Sequence, residues 1–176
     1  MIELRPSTEA IADLLIRMIQ LEWPSTESDR RRYFSTLGLR DQEVLPPRED
    51  DPESVWLRFT TSLPGQVDGN CIVFRGELLG LSVFPYTEPT GNGPQARAGY
   101  AGLRHHLSAA LGDPIEEWGS SSEPACVWRT SLLLLEMYCF QRLTSGVMVG
   151  PSHAERTAAN DQAHDQTART AETGSN

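Results

Sequence analysis

Residues 131–150 read SLLLLEMYCFQRLTSGVMVG, the most apolar stretch of the chain, and few folds can accommodate it. A helix crossing a bilayer needs about 20 mostly apolar residues with few or no charges. Glu136, Gln141 and Arg142 interrupt this run near its middle, which speaks against lipid. The pieces that remain, 131–140 and 144–149, have the length of strands. In the first piece Leu133, Leu135, Met137 and Cys139 form one wholly apolar face. Leu132, Leu134, Glu136, Tyr138 and Phe140 form a mixed one. A strand of that kind belongs in an antiparallel sheet covered by helices on its apolar side.

The rest of the chain supplies those helices. Ser7 can cap a helix whose Ile11, Leu14, Leu15, Met18 and Ile19 fall on one stripe, and Pro24 stops it. Thr26 with Asp29 three residues on resembles a capping box, opening a second helix that buries Tyr33, Phe34 and Leu37 and ends at Gly38. Residues 41–53, acidic and broken by proline, read as an exposed connector. VWLRFTT then alternates Val55, Leu57 and Phe59 against Trp56, Arg58 and Thr60, and CIVF and LLGLSVF follow across turn signals, a three-strand meander. A central helix carries Tyr100, Leu103, Leu107, Ala110 and Leu111 as its apolar stripe, with Gly112 and Pro114 as its stop. ACVWR, SLLLLEMYCF and SGVMVG give two or three more strands, and Ser152 with Glu155 starts a short last helix. The expectation is an α+β domain over 1–156, with a largely antiparallel sheet of five to six strands and the two N-terminal helices and central helix on one face. Residues 157–176 lack an apolar stripe and are expected to be a disordered tail. No internal repeat is visible.

Composition narrows the function classes. With 176 residues and 39% hydrophobic content the chain can build one core without disulfides or a structural metal. Cys71, Cys126 and Cys139 lie in strand-like surroundings without CxxC spacing, which reads as buried free thiols. The start MIELRPSTEA has neither a basic cluster nor an uninterrupted apolar stretch, so a cytoplasmic protein is expected. The net charge of −9 opposes nonspecific binding to nucleic acid or to an anionic membrane and suits a basic partner. All 15 cationic residues are arginine, which removes P-loop, Schiff-base and Ser-Lys chemistry.

Candidates for chemistry are few. His105 and His106 point about 100° apart on a helix and are poorly placed to chelate one metal, so no metal site and no cofactor are assigned. The glycine-rich loop 91–99 has the setting of an anion cradle without the GxGxxG spacing, and a plain connector accounts for it equally well. Glu136, amid Leu134 and Tyr138, is a possible general acid or base, although pairing with Arg58, Arg129 or Arg142 is the simpler reading. GxSxG, HExxH and Cys-His signatures are absent, so no catalytic residue is named.

Two stretches, LEWPSTESDRRRYFSTLGL at 21–39 and WRTSLLLLEMYCFQRLTSGVMVG at 128–150, resemble small acidic actinobacterial proteins of uncharacterised function. The element order is similar to that of type III secretion chaperone-like proteins and of some immunity proteins of polymorphic toxin systems. What the resemblance implies is a noncatalytic protein-binding domain, an immunity or secretion-chaperone-like protein engaging a more basic partner through an open sheet face and acidic loops. On the residues themselves that face is expected to hold Trp56, Arg58, Trp128, Leu134, Glu136, Tyr138 and Phe140, since aromatics and arginine suit interface anchors. Two alternatives stay open. One is a small enzyme or ligand-binding protein with a pocket between the central helix and the sheet, using His106, Glu136 or Tyr138. The other is a structural subunit that self-associates into a homo-oligomer through the same face.

Overall fold

Helix caps set the first two elements of the computed structural model, which describes residues 3–49, 51–65 and 67–173. Ser7 Oγ accepts from the amide of Ala10 at 3.2 Å and opens α1 (Thr8–Gln20). Thr26 Oγ1 accepts from the amide of Asp29 at 3.1 Å and opens α2 (Glu27–Leu37), which Gly38 closes in the left-handed conformation at φ 68°. Four strands follow: β1 (Arg40–Val44), β2 (Ser54–Thr60), β3 (Asp68–Phe74) and β4 (Glu77–Val83). Arg75 and Gly76, both at positive φ, make the tight turn between β3 and β4. Then come α3 (Pro94–Leu111), β5 (Glu116–Gly119), β6 (Pro124–Thr130), β7 (Leu133–Gln141), β8 (Ser145–His153) and α4 (Ala154–Thr173).

All eight strands join one antiparallel sheet in the order β1-β2-β3-β4-β8-β7-β6-β5. The α+β class and the single helical layer over the apolar face are as expected, but the strand count is higher than five or six. The additions are β1 and β5, the two edges. Edge strands need no buried alternation, and RDQEV and EEWG carry the charge and polarity that keep an edge from pairing further. The order is symmetric about the middle, where two four-stranded meanders meet along β4 and β8. Glycine matters at that seam: a Cβ on Gly150 would overlap the carbonyl oxygen of Leu81 across it.

One face of the sheet is dry. Leu57, Phe59, Cys71, Leu81, Val83, Cys126, Leu135, Met137, Val147 and Val149 lie in one cluster with the apolar stripes of α1, α2 and α3. Phe34 of α2 meets Phe59 edge-on at 5.5 Å, and the Tyr33 hydroxyl donates to the Met18 carbonyl at 2.6 Å. Burying such side chains is worth about 1.5–3 kcal/mol each, and this face is where the stability resides. All three cysteines are buried, and burial pushes the Cys126 and Cys139 thiols up, away from the nucleophilic form.

The C-terminal stretch departs from expectation. Residues 157–173 continue α4 rather than forming a disordered tail; 174–176 lie outside the described residues. Helix-favouring Ala, Glu, Arg and Gln support it, and its first turn is fastened at both the cap and the flank. His153 Nδ1 accepts from the amide of Arg156 at 3.4 Å, taking the capping role expected of Ser152. The Arg156 guanidinium donates to the carbonyls of Pro24 at 2.7 Å and Leu78 at 3.2 Å and to Ser25 Oγ at 3.1 Å. No helix among the described residues is long and apolar enough to cross a membrane.

Candidate binding cleft

The other sheet face is where the mixed residues of β7 point, and α4 turns onto it. Cross-strand pairing sets two rows there. Trp56, Ile72, Gly80, Ser152 and Leu134 lie opposite one another from β2 to β7, and Glu136 pairs with Gly150 beside them. Two glycines and the small Ser82 and Ser152 leave a trough over the seam. Trp56 and Ile72 rise on one side and Glu136, Tyr138 and Met148 on the other. α4 closes a third side with Thr157, Asn160, Asp161 and His164, a polar stripe at i, i+3, i+4 and i+7 along the cleft, with Asp161 at its exposed rim. The half-open cleft measures about 470 Å³.

Its walls are held by polar contacts. His164 Nε2 meets Asp51 Oδ1 at 2.8 Å and tethers α4 to the β1–β2 loop, while its ring lies against Phe74 at 6.4 Å. From the same loop the Arg48 guanidinium lies over the Trp56 ring at 5.4 Å. Tyr138 is braced edge-on by Trp118 at 5.5 Å, and burial, with Glu136 beside it, pushes its hydroxyl above the usual phenol range. Among the described residues neither Glu136 nor Asp161 has a cationic partner; the arginine pairing expected for Glu136 is not made. Three buried polar atoms of cleft residues lack a hydrogen-bond partner: Trp56 Nε1, Thr157 Oγ1 and Asn160 Oδ1. An unpaired buried polar group costs about 1–3 kcal/mol, and three of the seven such atoms among the described residues belong to this one cleft.

The seven residues expected on the mixed face divide as follows. Trp56, Glu136 and Tyr138 line the cleft. Leu134 shares the face beside it, half-buried. Arg58 and Phe140 line a neighbouring polar depression with Asn70, and Arg58 pairs with Glu43 at 3.7 Å. Trp128 does not belong there. It pairs with Leu135 and lies on the helix-covered face, 1% exposed, its indole nitrogen donating to the Gly112 carbonyl at 3.0 Å. The expected pocket between the central helix and the sheet is likewise not formed, because Leu103, Leu107, Leu135 and Met137 fill that space. His106 sits on α3, on the covered side of the sheet and away from the cleft.

The glycine-rich loop holds no room for an exogenous anion. Glu88 Oε2 accepts from the amides of Gln95 at 3.0 Å and Ala96 at 3.3 Å, and Ser145 Oγ accepts from Gly93 at 3.0 Å, so the chain's own carboxylate occupies the N-terminus of α3. Sequence reasoning missed Asn160, Asp161 and His164. The signal that could have found them is their polar stripe at helical spacing. Against protein-family models, curated proteins and solved structures the chain has no match, and the reading of the cleft rests on its geometry.

Proposed function

We infer that this chain is a noncatalytic binding protein, of the immunity or secretion-chaperone kind, and that the cleft between α4 and the mixed sheet face receives a basic segment of a partner protein. The observation that carries the reading is the pair Glu136 and Asp161, two carboxylates without cationic partners, one on β7 and one on α4, lining the same aromatic-walled cleft. The net charge of −9 adds a long-range field that steers a basic partner toward it. The walls limit the occupant to an extended segment or a protruding loop rather than a flat surface.

A second reading, a small polar ligand, is favoured by the three unpartnered atoms and by a volume typical of small-molecule sites. The two are separated by binding to an immobilised array of short peptides graded in net charge, at low and raised salt. A basic segment as ligand gives retention that rises with peptide charge, falls with salt and drops about tenfold in Glu136→Gln. Retention independent of peptide charge would refute the inference.

A further inference from the structure

Resting on that reading, we propose that the group the cleft selects is the guanidinium of an arginine side chain, carried on an extended peptide. A guanidinium presents five N–H donors in one plane and asks for several acceptors around it, whereas an ammonium is a strongly hydrated point charge with three donors. The cleft supplies acceptors from two directions. Glu136 projects from β7 and Asp161 from α4, and Asn160, 8% exposed, adds an Oδ1 that no group in the protein answers. Thr157 Oγ1, also unanswered, lies one turn before Asp161 on the same stripe. Small rotations of these two side chains turn the unanswered oxygens toward a donor-rich plane lodged over Gly80 and Gly150. Tyr138, Ile72 and Met148 provide apolar surface for that weakly hydrated plane and for its methylene stem.

The remaining unpartnered atom tells peptide from free cation. Trp56 Nε1 is a donor only and cannot be satisfied by a guanidinium, but once a turn of the half-buried ring uncovers it, a backbone carbonyl of a segment lying along the trough can accept from it. An anionic ligand is disfavoured, because among the described residues three carboxylates, Asp51, Glu136 and Asp161, line the cleft against one arginine, Arg48.

The test is calorimetric titration of the full chain with blocked peptides identical except for one central residue: arginine, lysine or citrulline. Methylguanidinium serves as the free-cation control. The arginine peptide is expected to bind about tenfold more tightly than the lysine peptide, the worth of one further charge-assisted hydrogen bond. Citrulline, isosteric and neutral, is expected to bind more weakly than either, and methylguanidinium more weakly than the arginine peptide. Asn160→Ala and Asp161→Asn should bring arginine and lysine to near parity without lowering the melting temperature, since one removes an unanswered atom and the other an exposed charge. Arginine and lysine peptides that bind equally, both weakened by Glu136→Gln, would overturn the guanidinium assignment and leave the basic-segment reading standing. Methylguanidinium as tight as the arginine peptide would overturn the peptide part. Citrulline binding as tightly as arginine, or no peptide binding at all, would overturn both the assignment and the reading beneath it.

Discussion

Leu134 and Leu135 are neighbours in sequence and belong to different environments. Leu135 lies under α3 with no exposed surface, while Leu134 is half-buried beside a cleft. The same contrast runs across the sheet. The helix-covered face is closed, apolar and continuous. The opposite face has glycine and serine along its middle, two carboxylates without cationic partners on its walls, and a helix that brings polar residues to it. One face is built for stability, and the other gathers unpartnered polar atoms of Trp56, Thr157 and Asn160 around a cleft. Two tryptophans show the division most sharply: Trp128 has its indole nitrogen bonded in the core, and Trp56 has its own unbonded at the cleft.

Breaking the covered face should cost most. Trp128→Ala is expected to destabilise by about 3–5 kcal/mol in denaturant unfolding, enough to unfold many domains, because it removes a large core side chain and orphans the Gly112 carbonyl. Leu135→Ala should cost about 2–5 kcal/mol and Leu134→Ala about 1 kcal/mol or less, although the deletion is chemically identical. Equal costs for the two leucines would erase the distinction between the faces.

The anchoring of α4 gives a smaller, pH-dependent effect. Burial, and next to it Arg156, lowers the His153 pKa below its ordinary value of 6.5; Glu155 and Glu77 act in the opposite direction. The unfolded chain therefore takes up this proton more readily than the folded one. The stability linked to neutral His153 is complete above about pH 6.5 and is lost as the pH falls through the lower folded value. His153→Asn, which keeps a capping acceptor without titrating, should remove that part of the acid slope in thermal melts, while His153→Ala should cost about 1 kcal/mol at neutral pH. An unchanged slope in the asparagine variant would remove His153 from the account. The least effect on stability is expected at the cleft floor: Ser152→Phe should fill the trough, shift stability by about 1 kcal/mol or less and abolish binding of basic peptides in the titration above.

The legibility of these features in the sequence follows the same division. The alternation of Leu133, Leu135, Met137 and Cys139 announces a strand with a dry face, and the stripes of α1 and α3 announce what covers it. Edge strands β1 and β5 carry no such mark, since neither buries a continuous face. Trp128 is expected on the mixed face and lies on the other, because Cys126, Val127 and Trp128 are all apolar and only the pairing with Leu135 decides the side. The cleft was hidden because β2, β3, β4, β7, β8 and α4 build it together. α4 in turn was overlooked because a helix is sought by its apolar stripe, and this one faces the sheet with Thr157, Asn160, Asp161 and His164.

The most direct test uses the tryptophans as a built-in pair. The chain has four, each with one indole N–H resonance in a nitrogen-15 correlation spectrum, and Trp56→Phe and Trp128→Phe assign the two of interest. On titration with a basic arginine-containing peptide the Trp56 resonance should shift progressively and saturate, as its unbonded nitrogen gains an acceptor, while that of Trp128 stays in place. Saturable binding with the Trp56 resonance unmoved would contradict the account, because the peptide would then be held elsewhere on the molecule.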